Sequence, residues 1–121
     1  FCTFNPAQHA FAEMIEQEPE HYEGLGDFYQ AKRDRFRAQL LTTKLKPLPV
    51  PGGYFQLVDY SAVSDLDDVE FCRWLTIEHG VTAIPLSPFY ETPPAGQRLA
   101  RLCFAKNETT LDAAIERLQK L

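Results

Sequence analysis

Ala7, Ala10, Phe11, Met14 and Ile15 recur at the spacing of one helical face, so the chain opens on an amphipathic helix. Asn5 is the expected N-cap, with Pro6 at the first helical position and Gln8 as the capping-box partner. Pro19 ends that helix or restarts the chain as a short turn through Tyr22, and Gly24-Leu25-Gly26 reads as a hinge between helices. Asp27 with Gln30 repeats the capping pattern. It predicts a second helix over 28–43 with Phe28, Phe36, Leu40 and Leu41 inward, and with Lys32, Arg33, Arg35 and Arg37 on a solvated face.

The pattern then turns strand-like. Prolines at 47, 49 and 51 limit that stretch to an edge strand or an extended connection, because proline offers no ladder donor. Gly52-Gly53 permits a tight turn into a strand over 54–60, rich in aromatic and β-branched residues. Residues 64–68 supply an N-cap and first-turn carboxylates for a helix ending at His79, with Gly80 as a left-handed cap. That helix dipole accounts for Asp65, Asp67, Asp68 and Glu70, whose spacing lacks the glycine and terminal glutamate of a calcium loop. A short buried strand over 81–84 stops at Pro85, and 86–97, with Pro88, Phe89, Tyr90 and Gly96, forms a long irregular loop of the kind that borders binding sites. The last strand covers 99–105. Thr109 and Asp112 are the expected capping pair of a final helix whose apolar face is Leu111, Ala114, Ile115, Leu118 and Leu121. The order of elements predicts an α+β domain of the broad α/β class, a small mixed or antiparallel sheet covered by helices.

Composition bounds this picture without changing it. A chain of 121 residues with 45% hydrophobic content suits one domain. A net charge of −5 argues against a nucleic-acid footprint. No apolar run approaches the roughly 18 residues a membrane span needs, and no secretory signal pattern is present, so an intracellular, cytoplasmic protein is expected. Cys2, Cys72 and Cys103 are odd in number and lie outside CxxC spacing, which suits reduced thiols, and His9, His21 and His79 form no metal-ligand spacing. The chain starts at Phe1 on an apolar stretch and reads like the middle of a longer polypeptide.

The chemistry concentrates at one residue. Arg101 interrupts the apolar strand Leu99-Ala100-Arg101-Leu102-Cys103-Phe104-Ala105. Its guanidinium stays charged and is costly to desolvate, so it must face either a carboxylate of this chain or the carboxylate or phosphate of a ligand. Elsewhere there is no GxSxG elbow, P-loop, HExxH or GxGxxG, and Ser61, Ser64 and Ser87 have no evident histidine partner. Lys32, Lys44, Lys46, Lys106 and Lys120 sit where a solvated amine is the default, whereas a Schiff-base lysine requires a desolvated or cation-flanked pocket.

Pro51-Gly52-Gly53-Tyr54-Phe55 leading into Val58-Asp59-Tyr60, then Phe71-Cys72-Arg73-Trp74-Leu75, Glu78-His79-Gly80-Val81, Ala83-Ile84-Pro85-Leu86-Ser87 and Arg101-Leu102-Cys103-Phe104-Ala105-Lys106, taken in order, resemble the C-terminal part of a class I pyridoxal-phosphate-dependent aminotransferase. The branch most similar is that of the methionine and kynurenine aminotransferases, and Phe4-Asn5-Pro6-Ala7-Gln8 extends the likeness to nearly the whole chain. The resemblance implies a small C-terminal domain over 45–121 and, over 1–44, a helical segment joining it to a large domain. It implies that Arg101 grips the substrate α-carboxylate, that Tyr54, Phe55 and Phe89 approach the substrate, and that Thr3 and Phe4 reach a neighbouring subunit of a homodimer. The cofactor it implies is pyridoxal 5'-phosphate, whose Schiff-base lysine, pyridine-nitrogen acid, stacking aromatic and phosphate cup belong upstream of Phe1. This chain alone is therefore expected to be inactive, and no catalytic, cofactor-binding or metal residue is assigned within it.

The activity implied for the intact enzyme is transfer of an amino group from a methionine, aromatic or kynurenine-type amino acid to a 2-oxo acid, without nucleic-acid or membrane partners. Two rivals share the same residues. One is a pyridoxal-phosphate-dependent lyase of the same fold type, and the other is a non-catalytic module that binds an amino acid or a regulatory partner.

Overall fold

The computed structural model describes residues 3–121, so the reading of Cys2 as a reduced thiol lies outside the described residues. Helix α1 spans Asn5–Gln17, α2 Pro19–Glu23 and α3 Leu25–Leu40. A two-residue strand β1, Lys46–Pro47, precedes β2, Phe55–Asp59, and helix α4, Asp68–His79. Strand β3, Ile84–Pro85, a 3-10 turn over Ser87–Phe89, strand β4, Leu99–Cys103, and helix α5, Glu108–Leu118, complete the chain.

The four strands form one sheet in the order β1-β2-β4-β3, and all three pairings are antiparallel. The proline-bearing strand β1 lies at an edge, where its missing N–H costs no ladder bond. Opposite residues of an antiparallel pair share a face, so the register Leu57↔Arg101 and Ile84↔Arg101 divides the sheet cleanly. Gln56, Val58, Ala100 and Leu102 are buried on one face, while Phe55, Leu57, Leu99, Arg101 and Cys103 on the other are only half-buried.

The buried face packs under Phe36 and Leu40 of α3, Phe71, Cys72 and Leu75 of α4, and Leu111, Ile115 and Leu118 of α5. Tyr60 and Phe71 stack within this core at 3.8 Å between centroids and 2° between planes. The Tyr60 hydroxyl donates to the Leu66 carbonyl, which removes the penalty of burying a phenol.

Several local expectations shift. The α1 N-cap is Phe4 rather than Asn5, and Gln8 donates its side-chain amide to the Thr3 carbonyl. None of α1 is buried, and Phe11 and Ile15 of its apolar stripe stand exposed beside α2, the neighbour it contacts. Helix α3 begins at Leu25, straight after α2 and Gly24, so Asp27 has no cap to make; Phe36 and Leu40 are buried as expected, whereas Phe28 and Leu41, the latter at the C-cap, are exposed. The basic residues of α3 are clamps rather than a free solvated face. Arg33 and Arg37 donate to the Val50 and Leu48 carbonyls of the proline connection, Lys32 donates to the Lys106 carbonyl, and Arg35 pairs with Asp112. Asp112 is thus an ion-pair partner, and Asn107 caps α5 by accepting from the Thr110 N–H. The strand expected over 81–84 shortens to Ile84–Pro85, because Gly80 and Val81 are used in closing α4.

Candidate carboxylate site

Arg101 sits near the middle of the half-open sheet face, between β2 on one side and β3 on the other. Its guanidinium carbon lies 4.1 Å from the centroid of the Phe55 ring and 4.9 Å from that of Phe89. Both are cation–π distances, so the guanidinium lies against two aromatic neighbours. Among the described residues, no carboxylate comes within ion-pair reach of it; the ion pairs formed are Arg33–Asp34, Arg35–Asp112 and Arg98–Asp65. The Arg101 Nε is buried and has no hydrogen-bond partner. Of the two partners open to this arginine, one of the chain's own acids is therefore not used among the described residues, and the buried donor stays unpaired.

The surrounding residues follow from local backbone choices. Gly53, at φ 78°, takes the left-handed turn that sends Tyr54 and Phe55 into β2. The Tyr54 ring lies 4.7 Å from Phe55 and 6.2 Å from Tyr29, so Tyr54 buttresses Phe55 and remains 47% exposed. Phe89 arrives from the opposite side on the 3-10 turn and is 68% exposed apart from its contact with Arg101. Thr3 and Phe4 are exposed at the start of α1 and make no contribution to this face.

One residue that local pattern assigned to the helix dipole has a different occupation. Asp67 is the N-cap of α4, accepting from the Glu70 N–H, which leaves the adjacent Asp68 free. Asp68 is buried and accepts from the backbone N–H groups of Leu86 at 2.7 Å and Ser87 at 2.5 Å. Burial works to raise its pKa, but the hydrogen bonds from Ser87 and Leu86 outweigh burial and hold the carboxyl below its usual value. Two consecutive acids at a helix start carry a signal, since only one can be the cap. The identity of the second partner, 18 residues on, is not written locally.

Residues 1–118 match the family model of aminotransferase class I and II. The chain belongs to the class I and II aminotransferases. It is 59% identical over its full length to an Escherichia coli (strain K12) methionine aminotransferase, of which it covers 31%, and 36% identical to kynurenine–oxoglutarate transaminase 3 of Rattus norvegicus, with 96% of this chain and 30% of that protein aligned. The crystal structure of an Escherichia coli methionine aminotransferase superposes with a TM-score of 0.89 at 60% identity, covering 96% of this chain and 30% of that one. The chain thus spans about a third of the length of the relatives it matches. Among its described residues no helix is long and apolar enough to cross a membrane.

Proposed function

We propose that this chain is the carboxylate-gripping part of a pyridoxal-phosphate-dependent aminotransferase, with residues 45–121 as its small domain and 1–44 as the helical segment leading into it. The single observation that carries the reading is Arg101, a guanidinium with a buried, unpartnered Nε between two aromatic rings and no acid of its own. A planar fork of parallel N–H donors matches an α-carboxylate in charge and geometry. The amino donor would be of the methionine, aromatic or kynurenine type and the acceptor a 2-oxo acid, a range supported by the names of the similar enzymes.

The residues present fit the substrate and not the cofactor. Lys44, Lys46, Lys106 and Lys120 are exposed, and Lys32 is engaged by the Lys106 carbonyl, so no lysine of this chain has the desolvated pocket a Schiff base needs. In this reading pyridoxal phosphate is held by other parts of the intact enzyme and supplies the carbanion stabilisation. This chain binds and orients. Arg101 fixes the amino acid by its carboxylate, Phe55 and Phe89 flank the guanidinium and help to position it, and Tyr54 backs Phe55. Thr3 and Phe4, exposed at the chain's other end, would meet the second subunit of a homodimer.

The test is turnover by the full-length holoenzyme with methionine, phenylalanine and kynurenine, each with a 2-oxo acid acceptor, alongside methioninamide, which lacks the carboxylate. Formation of the new amino acid, and loss of rate with methioninamide, is the expected result. Release of ammonia without amino transfer would assign the lyase reaction. Amino-acid binding without turnover would assign a regulatory module.

A further inference from the structure

We propose that Asp68 is a positioning residue for the carboxylate site, acting through the backbone of the turn that carries Phe89; this rests on the reading of Arg101 given above. Strand β3 is weakly tethered. It has two paired residues, Ile84↔Arg101 and Pro85↔Ala100, and the second is a proline without an N–H. The next two N–H groups of the chain, those of Leu86 and Ser87, both go to one oxygen of Asp68. From that anchor the 3-10 turn closes through Phe89 N–H to the Leu86 carbonyl and Tyr90 N–H to the Ser87 carbonyl.

Phe89 itself is 68% exposed, so packing contributes little to where its ring stands. Its location 4.9 Å from the Arg101 guanidinium is set by the backbone at Leu86 and Ser87, hence by Asp68. A buried carboxylate that accepts two backbone N–H groups is a rigid fixing point, and it is already free of capping work because Asp67 does that. Asp68 touches neither substrate nor Arg101. Its effect on binding is to hold one wall of the guanidinium's setting.

The experiment uses the full-length holoenzyme with Asp68→Ala and Asp68→Asn, read by hydrogen exchange of the segment 86–90 and by KM and kcat for methionine and methioninamide. Losing an acceptor for two N–H groups should speed exchange of that segment by about 10-fold or more while the β2 and β4 amides are unchanged. In the same variant KM for methionine should rise about 5- to 20-fold, on the scale of one lost orienting contact, with kcat less affected and methioninamide kinetics unmoved. Asp68→Asn keeps an acceptor oxygen and should recover most of both effects. If Asp68→Ala does not fold, Asp68→Asn carries the test with smaller changes in the same directions.

Unchanged exchange and KM would overturn the proposal. An equal loss on methionine and methioninamide would make Asp68 a merely structural residue and would also overturn it. If Arg101→Lys fails to alter the preference for methionine over methioninamide, the carboxylate reading itself falls and this proposal falls with it. If Arg101→Lys abolishes that preference and Asp68→Ala does not touch it, only the role of Asp68 is lost.

Discussion

Replacing Arg101 by lysine keeps the charge and removes the fork. In the proposed function a carboxylate held by two parallel N–H donors would become one held by a single ammonium, and a hydrogen bond to a charged group is worth about 1.5–3 kcal/mol. The guanidinium also loses part of its stacking at 4.1 Å on Phe55 and 4.9 Å on Phe89. Such contacts contribute about 0.5–1 kcal/mol at open sites. That stacking is present with and without substrate, so its partial loss falls on stability, and the loss of substrate binding is about 1.5–3 kcal/mol. At about 1.36 kcal/mol per factor of ten, kcat/KM for an amino donor should fall about 10- to 150-fold.

Stability should barely move, because Arg101 makes no ion pair with this chain and its Nε has no hydrogen bond to lose. Only part of the stacking on Phe55 and Phe89 is lost, so the expected change is within about 1 kcal/mol. Steady-state kinetics of the full-length holoenzyme and a thermal melt of the same preparation check both halves. Methioninamide supplies the internal control, since the wild-type penalty for removing the carboxylate should largely vanish in Arg101→Lys. A variant within about threefold of wild type in kcat/KM, a change worth well under 1 kcal/mol, would refute the reasoning. So would a large drop in Tm, which would reveal a partner inside the protein.

Gly80→Ala should destabilise the full-length protein by about 1–2 kcal/mol, the cost of a left-handed backbone for an ordinary residue. Gly80 stands at φ 64°, and a Cβ there would lie 2.7 Å from Arg117 Nη1, which also donates to the Gly80 carbonyl. Urea unfolding checks it, with Gly80→Asn expected to lose less and an unchanged midpoint in Gly80→Ala refuting the argument. Asp112 is held below its usual value of 3.8 by hydrogen bonds from Gln39 and Arg35. A depressed carboxyl stabilises the fold above that value and loses the contribution as pH falls below it, so the Tm deficit of Asp112→Asn should be present at neutral pH, shrink under acid and shrink with added salt. A deficit independent of pH and salt would show that packing, not charge, joins α3 to α5. Burial pushes the Cys72 thiol up to about 12, so native protein at pH 8 should leave it unalkylated by iodoacetamide, and rapid labelling detected by mass spectrometry would contradict its place in the core.

Legibility in the sequence tracked how local each signal was. The cap of α4 and its left-handed end at Gly80, the edge position of the proline strand and the aromatic strand β2 are all written within a few residues, and all are found. Asp27 and Asp112 do not cap their helices, because side chains that suit a cap also suit other partners and the true starts lie upstream, at Gly24 and Asn107. The clamps from Arg33 and Arg37 to the proline connection depend on which element packs against α3, which no window of sequence contains. Arg101 was conspicuous as a charge among apolar residues. That no acid of the chain meets it, and that Phe89 does, came only with the fold.

The two faces of the sheet explain why the site and the core are coupled through register rather than through contacts. Ala100 and Leu102 are 0% and 4% exposed, yet Arg101 between them looks outward to Phe55 and Phe89. A slip of one residue in β4 would exchange these faces, driving a guanidinium among Phe71, Phe104 and Leu118 and placing alanine at the proposed carboxylate position. Burying that charge without a partner costs several kcal/mol, so Arg101 penalises the wrong register as strongly as its apolar neighbours favour the right one. Gln56, 0% exposed, fixes the other side of the same ladder by donating Nε2 to the Leu48 and Leu57 carbonyls. Gln56→Leu should therefore loosen β1 against β2 and, by letting Phe55 drift from Arg101, weaken substrate binding from a position that never faces the substrate. Unaltered KM in that variant, with the Lys46 and Leu48 amides exchanging faster, would show that the register of β2 and β4 holds without the edge strand.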